Sequence, residues 1–95
     1  MGISVQIPTP LRGFTADQGE VEVSGATVGE AMLSLIAIHQ ALQPHLYNED
    51  GNLRAFVNLF LNDEDVRYLQ KDQTPVQDGD ILTIIPSIAG GGQQR

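Results

Sequence analysis

One segment constrains this chain more than any other. Residues 27–42 carry apolar side chains at Val28, Ala31, Met32, Leu35, Ile38 and Leu42, a spacing that holds them on one stripe of a 3.6-residue helix. Thr27 can accept the orphan N–H groups of a first turn, and Glu30, three residues on, completes a capping box. The spacing predicts a helix over 27–42, ended by Pro44 and about 24 Å long at 1.5 Å per residue. A helix with a single apolar stripe must bury it on something. In this chain a sheet is the only candidate.

The rest of the sequence supplies that sheet. Residues 3–7 alternate apolar and polar until Pro8 and Pro10 close the run, and residues 20–24 alternate with Val21 and Val23 on one face. The turn-rich stretch between them is too long for a tight hairpin, so an antiparallel pair with a long connection is expected. Residues 45–54 have loop composition. Residues 55–61 are dense in strand formers, with Val57, Leu59 and Leu61 in one phase and Phe56 and Phe60 in the other. A polar turn at 62–65 leads to a short returning strand at 66–69. After a turn at 74–76, Asp78-Gly79-Asp80 leads into a strand at 81–85 that Pro86 stops.

The expected order is β-β-α-β-β-β, with long first and last strands. The fold class is α+β: a β-grasp, with a mixed sheet of four or five strands packed on one main helix. The last strand should lie centrally, since residues 81–85 are apolar in both phases.

Composition narrows the function. The 95 residues contain five basic and twelve acidic side chains, a formal net charge of −7, which argues against nucleic acid or an anionic membrane as partner and favours a basic groove. A hydrophobic fraction of 41% removes the chain from the class of disordered acidic tails. The absence of cysteine excludes a disulfide framework, a thiolate metal site and a thiol nucleophile. No apolar run approaches the roughly 20 residues that span a bilayer, and Met1-Gly2 runs straight into a strand. A cytoplasmic single domain is expected.

Three groups of side chains invite a functional reading. Asp63, Glu64 and Asp65 lack the alternating spacing of a calcium loop, which leaves a solvated turn or a docking patch. If Val57, Leu59 and Leu61 face the helix, then Phe56 and Phe60 point to the open sheet face beside Thr83 and Ile85. That would be a partner surface, with ordinary edge packing as the alternative. His39 and His45 are too sparse for a metal site, and no metal is expected. Lys71 is the only lysine, which disfavours polymer signalling through internal lysines.

The last residues are the most informative. After Pro86, Gly90, Gly91 and Gly92 follow a central strand closely. A frayed terminus is the bland interpretation, but residues 87–91, fully extended, also reach about 17 Å beyond the sheet. Without Cβ atoms such a tail can thread a narrow channel.

Here the chain resembles a known family. Pro86-Ser87-Ile88-Ala89-Gly90-Gly91 is similar to the C-terminal signature of the ThiS/MoaD sulfur carriers, prokaryotic relatives of ubiquitin. The resemblance extends through Phe56 to Arg67, through Asp78-Gly79-Asp80, and to the opening Ile7-Pro8-Thr9-Pro10-Leu11-Arg12. The Asn62 to Arg67 run and the Ile-Pro-Thr opening look most like the CysO type, which supplies sulfur for cysteine synthesis.

The resemblance implies a cycle. An activating enzyme with sulfurtransferase partners adenylates the terminal glycine with ATP, a sulfur donor displaces AMP, and the resulting thiocarboxylate passes its sulfur to a synthase. That acceptor would be of the cysteine synthase type. Alternatives are the large subunit of molybdopterin synthase, the thiamin pathway, or a protein modifier whose glycine forms isopeptide bonds. The carrier itself would be no enzyme and would bind no cofactor. Active family members end at the second glycine, whereas this chain continues through Gly92 to Arg95. The expected division is a β-grasp domain over 1–89 and a tail over 90–95. A processing metallopeptidase would cut the tail after Gly91 (or after Gly92).

Overall fold

The computed structural model describes residues 2–86. The boundary at 89/90 and the tail over 90–95 lie outside them. The first two alternating runs become β1 (Ile3–Gln6) and β2 (Glu20–Val23), paired antiparallel with Val5 opposite Val21. β-Branched residues in one phase give the pair a single apolar face. Between the strands, a 3-10 helix over Thr9–Phe14 takes up the slack. The buried Thr15 closes the turn by donating its Oγ1 hydrogen to the Gln18 carbonyl at 2.8 Å.

The helix α1 (Val28–Ile38) starts as its capping box predicts. Thr27 Oγ1 accepts from Glu30 N at 3.2 Å, while the reciprocal bond falls one residue before the cap, with Glu30 Oε1 accepting from Ala26 N at 2.8 Å and not from Thr27 N. Its end differs from the expectation. At His39 the backbone leaves the helical region (φ −126°, ψ 79°), and residues 40–42 form a separate 3-10 turn. Leu42 is fully buried, but the turn carries it to the core, not the helical stripe. Ile38 is 53% exposed, because at 100° per residue it sits about 70° from the centre of the stripe formed by Val28, Ala31, Met32 and Leu35.

Pro44 does not end a helix. It occupies the first turn of a short second helix, α2 (Gln43–Leu46), where its missing N–H costs nothing. Leu46 is fully buried, so residues 45–54 are not all loop. Arg54 ties this segment down: its N donates to Leu46 O at 2.8 Å and its Nε to Pro44 O at 2.9 Å.

The second half of the sheet comprises β3 (Val57–Leu61), β4 (Glu64–Asp65) and β5 (Ile81–Pro86). Asn62 and Asp63 both have positive φ (50° and 79°), the two-residue turn that suits a twisted hairpin. The returning strand is therefore Glu64–Asp65, and Val66–Tyr68, expected as strand, is a 3-10 turn capped by Asp65. The register explains the difference: a two-residue turn sets Glu64 opposite Leu61 at once.

The five strands are ordered β2-β1-β5-β3-β4, with β5 parallel to β1 and antiparallel to β3. The last strand is central and the longest, as expected, whereas β1 is no longer than β2. Within β5, Leu82 and Ile84 are buried beneath α1, but Ile81 (40%) and Ile85 (43%) stand exposed. Its apolar outer phase is therefore left largely open among the described residues. One helix laid on one face of a mixed sheet with this order is a β-grasp.

Candidate functional site

The expected site has two parts, an open sheet face and the chain that leaves it. Alternation along β3 turns Asn58 and Phe60 away from the buried Val57, Leu59 and Leu61. The β3–β5 register then sets Phe60 beside Thr83 and Asn58 beside Ile85. The structure thus brings Phe60, Thr83 and Ile85 together on the face opposite α1. Phe56 is not on the strand: it lies in the turn before β3 and is 48% exposed. Sequence reasoning missed Asn62, which pins the edge of this face. Its Oδ1 accepts from Ile81 N at 2.9 Å and its Nδ2 donates to Asp80 Oδ1 at 3.0 Å. Its place in an Asn-Asp hairpin turn was the available signal.

The acidic triplet divides. Asp63 in the turn and Glu64 in β4 are exposed. Asp65 is engaged: its Oδ1 accepts from Arg67 N at 2.9 Å and its Oδ2 pairs with Arg67 Nη2 at 2.7 Å. Hydrogen bonds from the Arg67 side chain, and next from its backbone, hold the Asp65 carboxyl below the usual carboxylate range. His45 stacks on Phe14 with ring centroids 4.1 Å apart. Among the described residues, no group of three or more His, Asp or Glu side chains converges on a metal position. No helix there is long and apolar enough to cross a membrane.

Pro86 is the last described residue of the exit. Its Cα partner is Val57 on β3, so the central strand delivers the chain to one end of the sheet. Ser87, Ile88, Ala89, Gly90, Gly91 and Gly92, the expected tail and acceptor positions, lie outside the described residues. Because β1 runs parallel to β5, the segment after β1 stands at the same end. A cleft of about 430 Å³ opens there, lined by Gln6, Pro8, Thr9, Arg12 and Thr83 among others. Arg12 Nε donates to Ile7 O at 3.0 Å and its guanidinium covers Gly19, where a Cβ would come within 3.1 Å of it. The Ile-Pro-Thr opening of the chain therefore packs beside the root of the tail.

This geometry defines a class: a β-grasp domain with an uncovered apolar sheet face and a central strand ending at one pole. The comparisons narrow the class. The model of the ThiS family matches residues 5–91, and the chain belongs to the ThiS family. It is 41% identical over 93 residues to the sulfur carrier protein CysO of Mycobacterium tuberculosis, covering 96% of this chain and all of that one. The structure is similar to one in the crystal structure of the BexX/CysO complex of Amycolatopsis orientalis, with a TM-score of 0.85 and 41% identity over 95% of this chain and all of that one. Small archaeal modifier protein 3 of Haloferax volcanii is 38% identical over 66 residues, 70% of this chain and 71% of its own.

Proposed function

We propose that this protein is a cytoplasmic sulfur carrier of the CysO type, working through a C-terminal glycine and serving cysteine synthesis. The observation that carries the reading is the family match, which extends from β1 past the central strand and stops at Gly91. In this reading Gly91, preceded by Gly90, is the working end, and Gly92 to Arg95 are removed first by a peptidase. Removal of Arg95 leaves four basic against twelve acidic residues, a net charge of −8.

The chemistry is asked of other proteins. The Gly91 carboxylate attacks the α-phosphorus of ATP on an activating enzyme and pyrophosphate leaves, giving a mixed anhydride whose leaving group is AMP. A sulfur nucleophile adds to the carbonyl and expels AMP, which leaves a thiocarboxylate. With no cysteine in the chain, only that carboxyl can hold the sulfur. The carrier contributes docking: the face formed by the half-buried Phe60 and Thr83 and the exposed Ile85 gives an apolar anchor, and Asp63 and Glu64 give charge for a basic partner. The Amycolatopsis BexX/CysO complex, whose structure is similar to this one, supports a protein partner for the carrier.

Intact mass spectrometry tests the reading. After incubation with the peptidase, an activating enzyme, ATP and a sulfide source, the chain ending at Gly91 should exchange one oxygen for sulfur. Thiocarboxylate on the full 95-residue chain would overturn the processing step. Because the archaeal modifier is also similar, target conjugates that survive reductant would point to a protein modifier instead.

A further inference from the structure

The chain is strongly acidic, yet its cations are not scattered. Of the four basic side chains among the described residues, Arg54, Arg67 and Lys71 line one groove of about 820 Å³; only Arg12 stands elsewhere. Of the twelve carboxylates, only Glu30 and Asp72 line it. The Glu30 carboxylate is turned to the Ala26 amide as part of the helix cap. Arg67 is held by Asp65 at 2.7 Å, so with that partner the groove carries three cations to three anions, against one to nine over the rest of the described surface, and Arg54 and Lys71 are its cations outside that pair.

The groove lies on the helix side of the sheet, away from Phe60 and Ile85. The first turns of α1 form one wall and residues 51–55 the other. Its buried lining residues Met32, Val57 and Leu59 are apolar, and Leu33 stands on its wall 67% exposed. Tyr47 and Leu53, partly buried against the core, continue that surface. Burial, and then the nearby Asp72, push the Tyr47 hydroxyl above its ordinary range, so it stays a neutral hydrogen-bond donor. At the far end, Lys71 holds a left-handed backbone (φ 54°) and Asp72 packs against Gly29, where a Cβ would meet the Asp72 carbonyl at 3.1 Å. An apolar trough with a cationic rim suits a chain that alternates apolar and acidic side chains.

We propose that this groove docks an acidic, apolar-studded segment of a partner protein. The two faces then sort partners by charge. A basic enzyme meets the sheet face, and an acidic segment, repelled by nearly all of the remaining surface, is accepted only between α1 and residues 51–55. Since the faces lie on opposite sides of the sheet, the two partners do not compete. The inference does not depend on the tail or on sulfur transfer.

The test is titration of the full isotope-labelled chain with a short synthetic peptide alternating glutamate with leucine and phenylalanine, followed by amide NMR. Shifts should gather in the first turns of α1, residues 47–55 and residues 66–73. The same peptide with lysine for every glutamate should produce none of them. Lys71→Glu and Leu33→Glu, both at exposed positions, should each weaken binding at least tenfold, while Phe60→Asp leaves it unchanged. Shifts centred on Thr83 and Ile85, equal binding of the lysine peptide, or no binding at all would each overturn the proposal. If a variant's own spectrum shows loss of fold, the wild-type contrast between the two peptides still decides.

Discussion

Adjacent residues of β5 lead opposite lives. Leu82 and Ile84 are sealed under α1, whereas Ile81 and Ile85, in the same strand and almost as apolar, face outward at 40% and 43% exposure. The strand's period of two makes the division: a central strand must present alternate side chains to opposite faces, and the main helix α1 covers only one of them. The inner face holds the fold together. The outer face is free to spend its apolar area on a partner.

The sharpest way to break that comparison is to truncate both sides. Leu82→Ala should cost about 2–5 kcal/mol in urea unfolding, because it opens a cavity beneath α1. Ile85→Ala should cost less than about 1 kcal/mol, since no cavity forms. Equal losses would mean that the outer face is structural. Next in size, Phe60→Asp should weaken affinity for the activating enzyme at least tenfold, about 1.4 kcal/mol, while the folded spectrum persists; calorimetric titration reads this directly, and unchanged affinity removes Phe60 from the docking face. On the inner side, Thr27→Ala removes the acceptor of the Glu30 amide and should lower stability by about 1 kcal/mol, measured by chemical denaturation.

The smallest effect is electrostatic and belongs to the edge of the sheet. Asp65 has a lowered pKa in the fold, so its contribution to stability is complete above the ordinary carboxylate value and is lost as pH falls through the depressed one. Unfolding midpoints should therefore drop slightly below about pH 4, a range set by ordinary carboxylates. In Asp65→Asn that part of the drop should vanish; an identical acid profile in the variant would show that the Arg67 pairing adds nothing.

Much of the site could be read from residue order. Phe60, Thr83 and Ile85 share a face because strand phase is local and a β-grasp brings the last strand beside the third. Phe56 shares the phase of Phe60 but not its place, since the strand begins one residue later, at Val57. Phase says which way a side chain points only where a strand exists. The groove was beyond sequence reading altogether. Arg54, Arg67 and Lys71 are separated by loops whose paths depend on contacts such as Arg54 to Pro44 and Leu46, and no local periodicity encodes those.

The sequence by itself determined the helix start, the phase of every main strand, the central position of the last one, and the absence of any thiol. Each rests on neighbours within a few residues or on plain composition. Only the tertiary structure decided where α1 stops, that Pro44 opens a helix rather than closing one, and that the returning strand is Glu64–Asp65. Those choices turn on which distant group satisfies a backbone amide and whether Leu42 and Leu46 can reach the core. Both are settled when the sheet and helix close on each other.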